Sequence, residues 1–370
     1  MDFSLDAVLA HPDAAASGAA GHDAADRLIL DESASARRGV DAGAIAVIGD
    51  ESGALALAAA HDAGGGGAVR VHQDLLTGEL ALGHNAARVG LVGRTLSLPL
   101  DAELVRGARV VLARLPRSLD ALRDIAGVVA AYAAPDVVVF AGGRIKHMTP
   151  AMNDVLREVF GRVDVTHARQ KSRVLVAREP HGGGDPVPAA SVVDGVEVRA
   201  FGGVFAGAAL DIGTRVLLVH APALAPGTRV VDLACGNGVV AATLALRYPE
   251  LQVYASDVSA AAVASTRATA AANGVADRVE VARDDALSRL ADDSVDVVLL
   301  NPPFHRGAAI DERIARDLFA DAARVLRSGG ELWAVWNSAL AYRPALARLV
   351  GPTRQIARTP KFTLTASVAR

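Results

Sequence analysis

Arg229-Val230-Val231-Asp232-Leu233-Ala234-Cys235-Gly236-Asn237-Gly238 is the stretch on which the fold turns. The apolar run Arg229–Leu233 predicts a strand, Gly236 and Gly238 mark a tight turn, and the Ala-rich stretch Gly238–Arg247 predicts a helix. A strand, a glycine turn and a helix N-terminus let backbone N–H groups approach a ligand closely. Many nucleotide-like ligands use such a turn, so residues further along the chain must select among them. Downstream, Val253–Ala255, Val279–Ala282, Val295–Leu300 and Glu331–Val335 read as strands, and Ala260–Asn273 and Ile314–Leu326 as helices. That alternation predicts an α/β fold with a parallel sheet.

Upstream, the Gly/Pro-rich stretch Glu179–Pro188 reads as a linker, and Ser191–Val198 as a hairpin turning on Asp194-Gly195. The first half repeats the order of the second. Strands are expected at Ala44–Ile48, Val69–His72, Val110–Leu112, Asp136–Phe140 and Val174–Val176, and helices at Ala54–Ala60, from Ser118, and at Pro150–Phe160. Ile48–Gly53 falls on Leu233–Gly238, Asp74 on Asp257, Val110–Pro116 on Val297–Pro303, and Arg169–Lys171 on Thr359–Lys361. Four landmarks in one order indicate an internal duplication. The expected domains are 1–180 and 188–370.

With 51% hydrophobic and 21% charged residues over 370 positions, the chain buries cores and is not disordered. No apolar run approaches the roughly 20 residues that span a bilayer. The acidic start Met1–Asp13 does not resemble a secretory signal, and a lone Cys235 suits a reducing compartment, so the cytoplasm is expected. The net charge of −3 hides a polarity along the chain. Residues 1–62 hold 11 acids and 3 bases, residues 138–178 hold 8 bases and 3 acids, and residues 332–370 hold 6 bases and no acid. A polyanionic partner is permitted locally.

The chemistry sits at predicted strand ends, where open α/β sheets bind ligands. Asp257 can accept from both ribose hydroxyls of an adenosine, and Asp285 or its neighbour Asp284 can face the adenine amine. Asn301-Pro302-Pro303-Phe304 ends the fourth strand. The Asn301 side-chain oxygen and a prolyl carbonyl can accept both N–H groups of a weakly nucleophilic amine, directing its lone pair toward a methyl donor. The paired prolines stiffen the loop and remove competing donors, and Phe304 offers a stacking face. Cys235, Trp333 and Trp336 read as packing, His305 as a substrate contact or a solvated loop residue, and no metal-ligand spacing occurs among the ten His.

Residues 229–337 resemble a class I S-adenosylmethionine-dependent methyltransferase that modifies amino groups. With Gly203-Val204-Phe205, Leu210-Asp211-Ile212-Gly213-Thr214, Asn301–His305, Ile356-Ala357 and Lys361-Phe362, nearly the whole chain is similar to bacterial rRNA guanine-N2 methyltransferases. The large-subunit (23S) enzymes are nearer than the small-subunit (16S) ones. The resemblance implies two tandem Rossmann-like methyltransferase domains, the first degenerate. It implies S-adenosylmethionine held by Asp232, Gly236, Gly238, Asp257, Asp285, Asp211 and Thr214, and methyl transfer at Asn301, Pro302, Pro303 and Phe304.

In the first half, Val47 replaces Asp232, Glu51 replaces Gly236 and Arg114 replaces Asn301, so one cofactor is expected and Asp74 is a plain strand-end residue. A domain that lost its chemistry suggests RNA recognition through Arg114, Arg144, Lys146 and Lys171, with Lys361 in the second half. The expected partner is ribosomal RNA or a ribosomal subunit precursor, with no membrane and no metal; a monomer is plausible. Alternatives are another acceptor (adenine N6, cytosine N4 or a glutamine side chain) or a non-catalytic RNA-binding assembly protein.

Overall fold

Two seven-stranded sheets share one strand order. The computed structural model describes residues 3–10, 19–65, 67–303, 305–306, 309–310 and 312–370, with only the backbone at 305, 306, 309, 310 and 312. The chain divides into Met1–Val187 with Phe201–Gly203, and Pro188–Ala200 with Val204–Arg370. The first unit contains β1 (Ile45–Ile48), β2 (Val69–His72), β3 (Thr95–Ser97), β4 (Val110–Arg114), β5 (Val138–Arg144), β6 (Phe160–Val165) and β7 (Ser172–Pro180). The second opens with the hairpin β8 (Ala189–Val193) and β9 (Val196–Ala200). It continues with β10 (Val230–Leu233), β11 (Val253–Asp257), β12 (Val279–Arg283), β13 (Val295–Leu300), the pair β14 (His305–Arg306) and β15 (Ala309–Ile310), β16 (Leu326–Asn337), β17 (Thr353–Arg358) and β18 (Phe362–Val368).

The sheet orders are β3-β2-β1-β4-β5-β7-β6 and β12-β11-β10-β13-β16-β18-β17. In both, the first five strands run parallel, the sixth (β7 or β18) runs against them, and the edge strand (β6 or β17) pairs antiparallel with the sixth. The duplication expected from the sequence is therefore present strand for strand.

Helices of eight or more residues are α1 (Ala24–Arg37), α2 (Ala54–Asp62), α3 (Leu76–Arg88), α4 (Leu119–Tyr132), α5 (Pro150–Arg157), α6 (Ile212–His220), α7 (Val239–Arg247), α8 (Ala260–Ala272) and α9 (Glu312–Val325). Every residue of β1 and β10 is buried, as a central parallel strand covered on both faces requires. The helices after the glycine turns, α2 and α7, bury seven consecutive residues each, Ala54–Ala60 and Val239–Ala245. Small side chains let them sit close to the sheet and their neighbours.

Trp333 and Trp336 lie in the core, and Phe319 meets Tyr342 edge-on with ring centroids 5.5 Å apart. The hairpin turns on Asp194 (φ 51°) and Gly195 (φ 84°), the left-handed pair a two-residue turn needs. The helix expected to reach Phe160 stops at Arg157, because Phe160 opens β6 and pairs with Pro180. Composition did not reveal α1; Asp23 caps it in a reciprocal capping box with Asp26. Among the described residues no helix is long and apolar enough to cross a membrane.

Candidate active site

The glycine turn after β10 carries three left-handed residues, Ala234 (φ 58°), Gly236 (φ 56°) and Gly238 (φ 78°). The two glycines serve different ends. A Cβ on Gly236 would meet nothing within 4 Å, whereas one on Gly238 would lie 2.7 Å from the Thr266 Cα on α8. Gly236 thus borders open space, and Gly238 lets α7 cross α8. Asp232, buried in β10, accepts from the Ala241 N–H at 3.0 Å, and burial pushes its carboxyl up to about 7. Asn237, which carried no sequence signal of its own, donates to the Gly207 and Ala209 carbonyls at 2.8 and 3.0 Å and ties the upstream segment to this turn. Cys235 is buried beside the Thr266 hydroxyl, and burial raises its thiol. Among the described residues no group of three or more His, Cys, Asp or Glu could hold a metal ion.

Neighbouring strands bring the other groups to the same sheet edge. Asp257, at the end of β11, accepts from the Gly236 N–H at 3.0 Å and the Ser259 N–H at 2.9 Å. After β12 the two aspartates part company. Asp284 is buried, takes the Arg289 N–H at 3.0 Å and the Ser288 hydroxyl, and so caps its own turn. Asp285 is exposed at the strand end. At the end of β13, Asn301 Nδ2 donates to Asp211 Oδ2 at 3.1 Å and to Thr214 Oγ1 at 2.9 Å. Its Oδ1 is buried without a hydrogen-bond partner among the described residues. Asp211 caps α6, and its Oδ2 also takes the Gly213 and Thr214 N–H groups at 2.7 and 3.1 Å. Asp211 and Thr214, expected on the cofactor, are thus seen to hold Asn301. Pro302 is buried and Pro303 exposed; Phe304 lies outside the described residues, as does the His305 side chain. Lys361 is exposed in the turn before β18, with its Nζ 5.7 Å from the Phe362 ring centroid.

Comparison with known proteins adds the family. The "Methyltransferase small domain" family matches residues 195–366, and the "RLMG N-terminal domain" family matches residues 10–181. Ribosomal RNA large subunit methyltransferase G of Streptomyces avermitilis is 35% identical over 340 residues, covering 89% of this chain and 88% of that protein. The chain belongs to the ribosomal RNA large subunit methyltransferase G family. The family member of Pseudomonas aeruginosa is 34% identical and covers 92% of this chain and 91% of its own. Among solved structures, the T. thermophilus 16S rRNA N2 G1207 methyltransferase, in complex with AdoMet and guanosine, has the same two-domain fold. Its TM-score is 0.74 at 20% identity, over 94% of this chain and 92% of that one.

In the first unit of this family member the equivalent turn is built from different residues. Gly53 keeps the role of Gly238, its absent Cβ making room for Leu82, while Glu51 stands outside the left-handed region that Gly236 occupies. Val47 replaces Asp232 without loss of the helix contact, because Asp50 accepts the Ala56 N–H at 2.8 Å from inside the turn. Burial, helped by the charge of Asp26, pushes Asp50 up to about 7. The match of Asp74 to Asp257 is off by one. Ile48 pairs with His72 as Leu233 pairs with Ser256, so Gln73 occupies the Asp257 position, and its amide donates to the Asp50 carbonyl.

Arg114 also departs from expectation. Its guanidinium bonds Asp23 at 2.9 Å and Asp26 at 2.6 Å, so its charge is balanced by two carboxylates of its own unit. Of the eight bases in 138–178, Arg157, Arg162, Arg169 and Arg178 are ion-paired. Lys146 and Lys171 are exposed and Arg144 is half-buried. Slight desolvation, then the charges of Arg117, Lys146 and Arg144, lower the neighbouring His147.

Proposed function

We propose that this chain methylates the exocyclic N2 amine of a guanine in the RNA of the large ribosomal subunit, using S-adenosylmethionine. The observation that carries the reading is Asn301: its amide nitrogen is tied to two acceptors and its buried oxygen is left unpaired at a strand end. Buried polar atoms are nearly always satisfied, so an unpartnered one at a strand end, where open α/β sheets bind ligands, offers an acceptor to a ligand donor. The relatives' names supply the large-subunit RNA. The resemblance of Asn301–His305 and Leu210–Thr214 to guanine-N2 enzymes supplies the acceptor. The residues fit the cofactor: a Cβ at Gly236 would enter open space, and the Asp257 carboxylate lies at the same turn.

In this reading Asp257 takes the ribose hydroxyls, Asp285 faces the adenine, and the glycine turn with Asp232 beneath it shapes the cradle. When bound, S-adenosylmethionine supplies an electrophilic sulfonium methyl. Asn301 Oδ1 accepts one N–H of the amine and the Pro302 carbonyl the other, which leaves the nitrogen lone pair aimed out of the base plane. Asn301 cannot take up a proton, so the residues position the amine and its proton leaves to water. Phe304 stacks on the base. The second unit is the catalytic domain. The first is a degenerate one that grips RNA through Arg144, Lys146 and Lys171, with Lys361 contributing from the second, all in the cytoplasm where ribosomal subunits mature.

The test is nucleoside mass mapping of ribosomal RNA from a strain lacking the gene. One N2-methylguanosine should vanish from the large-subunit RNA, return with the wild-type gene, and stay absent with Asn301→Ala. Purified Asn301→Ala should bind one equivalent of cofactor at nearly unchanged affinity, with turnover about 100-fold lower or worse. An unchanged methylguanosine map refutes the substrate, and two equivalent cofactor sites refute a degenerate first unit.

A further inference from the structure

The Asn301 amide can face the substrate in either of two orientations, and only one suits an amine. With the oxygen outward it accepts an N–H; rotated by 180°, it presents its own N–H₂ to another N–H₂ group and binds nothing. Something must therefore choose. In this unit the choice is made by a segment 90 residues upstream. Asp211 Oδ2 lies 3.1 Å from Asn301 Nδ2 and is an acceptor in each hydrogen bond it makes with Asn301, Gly213 and Thr214. Thr214 Oγ1 lies 2.9 Å from the same nitrogen. Both Nδ2 hydrogens are thereby used. A rotated amide would set its carbonyl against the carboxylate.

We propose that Asp211 and Thr214 are positioning residues that lock Asn301 with Oδ1 toward the acceptor amine. This rests on the reading of Asn301 as the group that receives that amine. Asp211 is well suited to the task because it is itself held. Its Oδ2 takes the Gly213 and Thr214 N–H groups at the start of α6, so the carboxylate cannot swing away without uncapping the helix. The helix start is fixed in turn by packing, since a Cβ on Gly213 would lie 3.0 Å from the Phe362 ring. Thr214 is buried, and its hydroxyl accepts from Asn301 Nδ2 at 2.9 Å. The chain thus runs from β18 through the α6 N-terminus to the Asn301 amide. Asp211 and Thr214 act through Asn301 and not through the cofactor.

The experiment is steady-state kinetics with cofactor calorimetry on the full-length chain carrying Thr214→Val, Thr214→Ser, Asp211→Ser, Asn301→Ala and the double variant Thr214→Val/Asn301→Ala. Valine keeps the shape and removes the acceptor; Ser at 211 still caps α6 and is too short to reach Asn301. Turnover should fall roughly tenfold or more in Thr214→Val and Asp211→Ser, with cofactor Kd changed by less than about threefold. Thr214→Ser should recover turnover to within about threefold of wild type. In the Asn301→Ala background, Thr214→Val should cost nothing further, because the group it positions is gone. A tenfold rise in cofactor Kd at unchanged turnover would overturn the proposal in favour of direct cofactor binding. So would equal losses with and without Asn301. Should Asn301→Ala itself turn over normally, the reading of Asn301 falls, and this proposal with it. An inactive Asn301→Ala beside a fully active Thr214→Val refutes the proposal alone.

Discussion

Gly236 and Gly238 stand two residues apart in one turn, and replacing each by alanine should break a different property. Both have positive φ, 56° and 78°, so each alanine carries a left-handed strain of about 1–2 kcal/mol. At Gly238 the new Cβ would also lie 2.7 Å from the Thr266 Cα and 2.9 Å from its Cγ2. A backbone atom cannot rotate aside, so α8 must move, and overpacking of that kind costs about 1–3 kcal/mol. The sum is about 2–5 kcal/mol for Gly238→Ala. At about 2–4 °C per kcal/mol for a unit of this size, its transition should fall by roughly 4–20 °C. Gly236→Ala adds no clash, because nothing lies within 4 Å of its Cβ, and should lose only the strain, about 2–8 °C. That Cβ instead projects into the space assigned to the cofactor, whose affinity should drop about tenfold or more, while folded Gly238→Ala binds within about threefold of wild type. Calorimetric melting and cofactor titration of the full chain read both. A Gly238→Ala protein melting within about 2 °C of wild type, or a Gly236→Ala protein with unchanged affinity, would refute the division of labour.

Asp232 carries a pH signature. Burial lifts its carboxyl from 3.8 to about 7, so between these values the folded chain holds a proton that the unfolded chain releases. Its contribution is fully present below pH 3.8 and is lost as pH rises through about 7. Asp232→Asn cannot ionise and its amide oxygen can still accept from Ala241. The variant should gain on wild type in stability by about 1–4 kcal/mol from pH 5 to pH 8, measured by denaturant unfolding; parallel pH profiles would exclude the buried charge. Replacing Arg144, Lys146 and Lys171 with Ala should weaken RNA binding and flatten its dependence on log salt by up to about one unit per lost phosphate contact. Arg114→Ala should leave the salt slope alone and lower first-unit stability, since it strands Asp23 and Asp26. Identical slopes for the triple variant and wild type would remove RNA binding from that edge.

The repeated succession of strands and helices, the glycine turns and the Asn301 motif were legible because each is local, whereas β3, β6, β17 and β18 and the order of strands in the sheets were not read. Apolar periodicity sets strand or helix, glycine permits the turn, and adjacent residues carry the motif. The hairpin at Asp194-Gly195 was readable for the same reason. Less was visible where polar residues stand in for apolar signals: α1 begins with a capping box of two aspartates, and in the sequence that acidic region shows only as charge. The misplacement of Asp74 is instructive. Sequence spacing alone tolerates a slip of one residue, yet a slip of one in a strand turns a side chain to the opposite face.

The amino-acid order by itself therefore settled the class of fold, its doubling, and the strand ends at which chemistry could sit. Which atoms meet there was a matter of register and helix placement. Pairing of Ile48 with His72 put Gln73 where Asp257 stands in the second unit, and α1 brought Asp23 and Asp26 to neutralise Arg114. The turn after β12 buried Asp284 and left Asp285 outside, and α6 set the Asn301 amide from 90 residues away. The reason is physical. Periodicity and turn preference act along the chain over a few residues, whereas a hydrogen bond or ion pair needs atoms within about 3 Å of each other. Partners distant in sequence reach that separation only when the packed sheets and helices hold them there.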